Sequence, residues 1–235
     1  REKILESYPI LPLRNTILFP NQIIPIYIGR KQSLDLINDI STLDKKYIVV
    51  VAQKDGAIEN PTKDDIYQFG TLATVMKIFD MPDKSKSAIV QGLMRVQLEE
   101  VNQELPYFSG LVSRVNDIGI TNPHIPKHIK TLKSSFTSIV DAAQYLNEDQ
   151  MGALNNIDNP SKIVDKAISL LNIKTKEKQQ VLEISDVLNR IKKVNTIIGK
   201  ELQRIELGDK IQSEVQDEIS KSQKEYYLRE QLKAI

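Results

Sequence analysis

Ser185-Asp-Val-Leu-Asn-Arg-Ile-Lys-Lys-Val-Asn-Thr-Ile-Ile-Gly-Lys-Glu-Leu-Gln-Arg-Ile205 opens a segment that runs to Ile235 without a proline. Counted from Ile184, the residues Val187, Ile191, Val194, Ile198, Leu202 and Ile205 recur at steps of three and four. That spacing puts them on one stripe of a helix with 3.6 residues per turn. The stripe requires an apolar partner. Past Gly208 it thins to Ile211, Val215 and Ile219, while Asp209, Lys210, Glu214, Asp217, Glu218, Lys221, Lys224 and Glu225 fill the other faces. A helix from Ser185 to Ile235 would extend roughly 75 Å at ~1.5 Å per residue, so its second half must leave the body that buries the first. Gly199 and Gly208 each cost about 1 kcal/mol relative to Ala inside a helix and are the expected hinge positions. Pattern alone makes a coiled coil the plain structural reading.

Upstream of that helix the chain is also helical, back to Asn122-Pro123. Ile129, Leu132, Phe136, Ile139, Val140, Ala143 and Leu146 define one amphipathic helix, and Glu148 to Asn155 a shorter one. Pro160 in a first turn, with Asp158 or Asn159 as cap, starts a third that runs through Leu171, and Thr175 to Leu182 forms a fourth. The expected division is therefore a β domain over residues 1–120, a helical bundle over 121–184 and the long helix over 185–235. Gly119, Asn122 and Pro123 interrupt regular structure at the first boundary.

The first part reads as strands. Tyr8 to Arg14 carries two prolines and suits an edge strand or extended segment, not a central one. Ile23 to Ile28 is rich in β-branched residues, and Gly29 closes it. Lys31 to Ile40 has Leu34, Ile37 and Ile40 at helical spacing, and Tyr47 to Ala52 is a short buried strand. Gly70 to Phe79 and Ser87 to Leu98 form a hairpin; Gly92 within its return strand marks a bulge or corner that lets a small sheet curl. Tyr107 to Val115 supplies one more strand. The fold class is α+β.

Composition narrows function mainly by exclusion. Hydrophobic residues make up 40% and charged residues 27% of the 235, ordinary for a chain with a buried core. The net charge of +1 splits almost evenly between the two halves, so neither has the basic excess of a polyanion binder. The absence of cysteine excludes disulfides and thiolate metal sites and fits a reducing compartment. No apolar run approaches the ~20 residues that span a bilayer, and the Arg1 start lacks a signal-peptide core. No phosphate-binding glycine loop occurs, so no Walker-type ATP site is expected. His124 and His128 lie four apart with Pro126 between them and no further ligands nearby, which makes them surface histidines and not a metal set. Asp64-Asp65 and Glu99-Glu100 point to opposite faces of extended chain and read as solvated charge. Tyr226-Tyr227 diverge by ~100° on a helix and do not form a base-stacking platform. No catalytic, cofactor or metal residues are assigned in this chain.

At the end of the chain, Ser222-Gln-Lys-Glu-Tyr-Tyr-Leu-Arg-Glu-Gln-Leu-Lys-Ala-Ile235 resembles the segment that precedes the ATPase module in Lon-type ATP-dependent proteases. Leu11-Pro-Leu-Arg-Asn-Thr-Ile-Leu-Phe-Pro20 is similar to the opening of the amino-terminal domain of that family, and Ile26-Tyr-Ile-Gly-Arg30 continues the pattern. Gly70-Thr-Leu-Ala73 and Val90-Gln-Gly-Leu-Met-Arg95 look like its central strands, with Gln91 where an acidic residue is common. The resemblance spans the chain and is weakest from Lys127 to Asn155. It implies a PUA-like mixed β domain, a pseudo-barrel, followed by an α-helical bundle and one long C-terminal helix.

For function the resemblance implies a substrate-recognition and assembly module of a homo-hexameric ATP-dependent serine endopeptidase that degrades misfolded and selected regulatory proteins. The Ser-Lys dyad and the site for ATP and Mg are then expected beyond Ile235, and the chain itself is expected to be neither a peptidase nor an ATPase. Implied partners are unfolded or damaged proteins and further copies of the chain, with no specific nucleic acid and no membrane. The implied compartment is the bacterial cytoplasm, with the mitochondrial matrix as the other. Candidate substrate contacts are Phe19, Pro20 and Ile23 in the first loop and Leu93 and Met94 near the bulge; the alternative is that they are core. Two other classes stay open on sequence: a PUA-like RNA-binding module, which needs a basic patch, and a coiled-coil scaffold, which ignores the β domain.

Overall fold

The computed structural model describes residues 5–233; residues 1–4, expected in the β domain, and 234–235, expected to end the long helix, lie outside the described residues. Six strands come first: β1 (Leu5–Leu13), β2 (Ile23–Ile28), β3 (Tyr47–Ala52), β4 (Phe69–Asp80), β5 (Lys86–Gln103) and β6 (Ser109–Arg114), with α1 (Lys31–Ile40) between β2 and β3. Five helices follow: α2 (Ile125–Ala142), α3 (Glu148–Asn155), α4 (Pro160–Leu170), α5 (Thr175–Leu182) and α6 (Val187–Lys233).

The strand order is β2-β5-β4-β3-β1-β6, and β5 also pairs with β6, which closes five strands into a barrel. The length of β5 makes this possible. Its first part, Lys86 to Gln91, pairs with β2, and its second part, Val96 to Gln103, pairs with β6. All pairings are antiparallel except β1 with β3. β1 therefore lies between β3 and β6 and not at an edge, contrary to the expectation from Pro9 and Pro12. Over Leu5–Pro9 it pairs with β6 and over Ile10–Leu13 with β3, so each half keeps one side free for the donor that its proline lacks.

β3 is buried on both faces, which explains its unbroken apolar run. Val49 and Val51 face one cluster with Ile10, Leu72, Val96 and Val112; Ile48 and Val50 face another, where Leu36, Ile37 and Ile40 of α1 close the barrel. The helical part has its own larger cluster. Leu132, Phe136 and Ile139 of α2 meet Ile191, Val194 and Ile198 of α6, with Val164 and Ile168 of α4.

Local signals set the helix starts. Asn159 Oδ1 accepts from Ser161 N at 3.0 Å and Lys162 N at 3.2 Å, with Pro160 in the first turn where a missing N–H costs nothing. Asn147 and Gln150 cap α3 reciprocally. Asp186 Oδ1 accepts from Asn189 N at 2.8 Å at the start of α6. From there α6 is buried on one face as far as Ile205, and every described residue from Glu206 onward is exposed.

Candidate functional site

The loop after β1 folds back onto the barrel at Gly92. Asn21 N donates to the Gly92 carbonyl at 2.8 Å, and Gly92 N donates to the Gln22 carbonyl at 2.9 Å. A Cβ at residue 92 would collide with the Phe19 carbonyl, so only glycine permits this approach. Thr71 Oγ1 donates to the Leu18 carbonyl at 2.5 Å and ties the same loop to β4. In the register of β4 and β5, Leu72 faces Met94 and Ala73 faces Gly92, which leaves Leu93 as the extra residue of a bulge.

The bulge turns Leu93 and Met94 towards a cleft of about 250 Å³ that Pro20 also lines, opposite Asn159, Ser161 and Lys162 at the start of α4. A neighbouring cleft of about 320 Å³ runs from Pro20 to Ala153, Ile157 and Lys166. Three sequence candidates thus share one groove between the barrel and α4. Phe19 does not: at 0% exposure it packs with the helical cluster, and its expected place on an exposed patch is corrected. Its ring packs with Ile17 and Ala52 in the cluster that the helices complete. Ile23, 54% exposed, stands on β2 opposite Gln91 and lines neither cleft.

The floor of the groove is ionic. Arg95 of β5 makes two hydrogen bonds of 2.7 Å to the carboxylate of Asp165 on α4, and its Nε donates to the Leu182 carbonyl at 2.9 Å. Arg190 of α6, 0% exposed, donates from Nη1 to Ser161 Oγ at 2.8 Å, from Nη2 to Asp117 Oδ1 at 2.7 Å and from Nε to the Ile184 carbonyl at 2.9 Å. Its Nη1 lies 3.6 Å from Asp165 Oδ1. Burial alone would raise the Asp117 pKa, but hydrogen bonds from Ser161 and Arg190 and the charges of Arg190 and Arg95 outweigh it and hold the carboxyl below its ordinary value. Sequence reasoning missed these four residues. A signal existed: Arg190 sits on the apolar stripe of α6 between Val187 and Val194, and Asp165 follows Ile163 and Val164.

Elsewhere the helix passes unbroken through both candidate hinge glycines, and added Cβ atoms at Gly199 and Gly208 would meet nothing within 4 Å. His124 precedes α2 at its N-cap, and the His128 carbonyl accepts from Asn195 Nδ2 at 3.2 Å. Among the described residues no group of three or more His, Cys, Asp or Glu side chains is placed to hold a metal ion. Tyr226 and Tyr227 are exposed on the outer half of α6. No helix among the described residues is long and apolar enough to cross a membrane.

Comparison with known proteins addresses this architecture directly. Residues 7–200 match the family model described as the ATP-dependent protease La (LON) substrate-binding domain. The chain is 40% identical over 234 residues to the Lon protease of Koribacter versatilis, an alignment covering 97% of the chain and 28% of that protein. It is 34% identical to the Lon protease of Dictyoglomus thermophilum, covering 100% of the chain and 29% of the relative. The chain thus spans under a third of the length of these bacterial relatives. Among solved structures, the N-terminal domain of a Mycobacterium avium complex Lon protease superposes with a TM-score of 0.68 at 17% identity, covering 83% of this chain and 98% of that one. The Lon N-terminal domain protein from Xanthomonas campestris gives 0.56 at 16% identity, over 80% of this chain and 96% of that one. At such identities the two structures speak to the fold alone.

Proposed function

The chain belongs to the ATP-dependent protease La (LON) substrate-binding domain family, and from that premise we propose that it is the substrate-recognition and assembly module of an ATP-dependent serine endopeptidase. In this reading the whole protein is a homo-hexamer that degrades misfolded and selected regulatory proteins in the bacterial cytoplasm, and ATP, Mg and a Ser-Lys pair act outside this chain. We further take residues 1–120, 121–184 and 185–235 as three working segments: a gripping β domain, a helical body and an arm.

The observation that carries the reading is the groove beside the start of α4 where the half-buried apolar side chains of Pro20, Leu93 and Met94 converge within a mainly polar lining. Unfolded polypeptide exposes apolar side chains and unpaired backbone together, and a shallow groove with both kinds of partner holds such a segment weakly. Several weak contacts on one tethered arm raise the local concentration of substrate. Ile23, exposed on β2 outside both clefts, is a separate candidate contact. The test is binding of a chemically unfolded protein to the chain, followed by fluorescence polarisation. Leu93→Ser is expected to weaken binding several-fold with little change in thermal unfolding, because Leu93 is the bulged residue; unchanged affinity would remove the groove from substrate recognition.

Gly199 and Gly208 are the proposed flexible points of the arm. Gly208 falls just past Ile205, where α6 leaves the body. Replacing both by Ala removes about 1 kcal/mol of helix penalty per site. In a full-length protease the double variant is expected to slow degradation of folded substrates and leave short unstructured peptides unaffected. Equal slowing of both would point to an assembly defect, and no slowing of either would show that the glycines do not govern delivery.

A further inference from the structure

A cavity of about 440 Å³ opens between β1, β2 and the start of α1. Arg14, Arg30, Tyr27, Thr16 and Ser33 supply its polar lining and Leu11, Pro25 and Ile26 its apolar wall; no carboxylate side chain lines it. The adjoining cavity of about 230 Å³, on the other side of Arg30, is where Lys31, Asp35 and Glu59 lie.

Among the described residues no carboxylate balances the charge in the larger cavity. Arg30 donates only to neutral acceptors: the Pro12 carbonyl at 2.8 Å, the Glu59 carbonyl at 3.4 Å and Gln53 Oε1. Burial lowers its pKa from the ordinary value, and the charge of Arg14, which lines the same cavity, lowers it further. Among the described residues neither arginine has an ion pair. The N-terminus of α1 adds a third positive element: Arg30 gives no side-chain cap, the first turn holds no acidic residue, and the first intrahelical bond runs from Leu34 N to the Arg30 carbonyl. Ser33, in that first turn, is only 8% exposed, lines both cavities and makes no side-chain hydrogen bond to the described residues. A hydroxyl that opens onto the cavity from a largely buried residue and has no partner among the described residues, beside two guanidiniums that no described carboxylate balances and the backbone N–H groups of a first helical turn, suits an oxyanion.

We propose that this cavity receives the α-carboxylate at the C-terminal end of a polypeptide substrate. Guanidinium groups match a carboxylate in two-point geometry, and the apolar part of the lining, where Pro25 is exposed over the buried Leu11 and Ile26, suits the last side chain better than it suits a free inorganic ion. Pro25 also has no N–H to offer in the middle of β2, an edge strand, so an extended peptide is poorly held there by strand addition and is grasped at its end. The inference rests on the substrate-binding reading above and gives it a second, chemically different contact.

The experiment uses the whole chain and a short fluorescent peptide of Gly, Ser and Leu in two forms, with a free C-terminal carboxylate and with a C-terminal amide. The acid is expected to bind about tenfold more tightly than the amide, the scale of one charge-assisted hydrogen bond. Arg14→Gln and Ser33→Ala are each expected to reduce that preference while leaving amide binding and thermal unfolding unchanged; among the described residues Arg14 has no hydrogen-bond or ion-pair partner whose loss would disturb folding. Equal affinity for acid and amide overturns the carboxylate site, and continued binding of a chemically unfolded protein, sensitive to Leu93→Ser, would then leave the substrate reading standing. Inorganic phosphate displacing the acid peptide far more effectively than acetate overturns it in favour of a free phosphate. Failure of both peptides and of the unfolded protein to bind overturns both readings.

Discussion

Arg95 and Arg190 are buried at the junction of barrel and helices with Asp165 and Asp117 against them, whereas Arg14 and Arg30 line one cavity to which no described carboxylate side chain contributes. The side chain is the same in both places; what differs is whether the fold itself supplies the counter-charge. Where it does, the arginines join elements far apart in sequence, and removing an acid strands a desolvated cation. Where it does not, Arg30 is held by neutral acceptors alone, no described side chain balances its charge or that of Arg14, and the proposed site gives that charge its use.

The sharpest way to break this contrast is Asp165→Asn. It removes the carboxylate shared by Arg95 and lying near Arg190, and is expected to cost about 3–5 kcal/mol in denaturant unfolding, the range for breaking a buried ion pair from one side. A cost below about 1 kcal/mol would mean that water reaches both guanidiniums.

Acid titration sharpens the comparison next. The Asp117 pKa is depressed in the folded chain, so its stabilising contribution is present above the unfolded carboxylate value of about 3.9 and is lost as pH falls through the lower folded value. Asp117→Asn is expected to cost about 1.5 kcal/mol at neutral pH, the scale of a hydrogen bond to a charged group, and less below that window. Unfolding free energy measured against pH for both proteins checks the sign; a difference that grew as pH fell would contradict it.

The smallest effect belongs to the cavity. Arg14→Gln is expected to change stability by less than about 0.5 kcal/mol, as for an exposed side chain with no partner among the described residues. Thermal unfolding of the variant checks this, and a loss of several kcal/mol would place Arg14 with the structural arginines.

Much of the architecture was legible because its signals are local. The helix over Thr175–Leu182, the start of α4 at Pro160, the strand Tyr47–Ala52 and the bulge at Gly92 follow from caps, periods and breakers within a few residues. Barrel closure was not legible in detail: pairing of β5 with β6 and the parallel pairing of β1 with β3 join segments whose own residues carry no mark of their partners. The burial of Phe19 depended on helices more than a hundred residues later, and the groove of Pro20, Leu93 and Met94 on α4 in the same way. Charged residues hid best. Arg95 and Asp165 lie 70 positions apart, and each alone reads as solvated surface.

The Arg190–Asp117 contact has a mechanical consequence for α6. Those two residues lie 73 positions apart, and the covalent route between them passes through α2, α3, α4 and α5. The side-chain bond is a shortcut across that loop, reinforced by Ile118 N to the Ser185 carbonyl at 2.9 Å and Val187 N to the Ile118 carbonyl at 3.0 Å. Tension drawn along the outer half of α6 therefore meets, at its root, a direct linkage to the end of β6, and through Asp165 and Arg95 to β5. The barrel is pulled by its own strands instead of by the unravelling of the helices between, and the load capacity of the joint is set by a few buried bonds at one turn of helix.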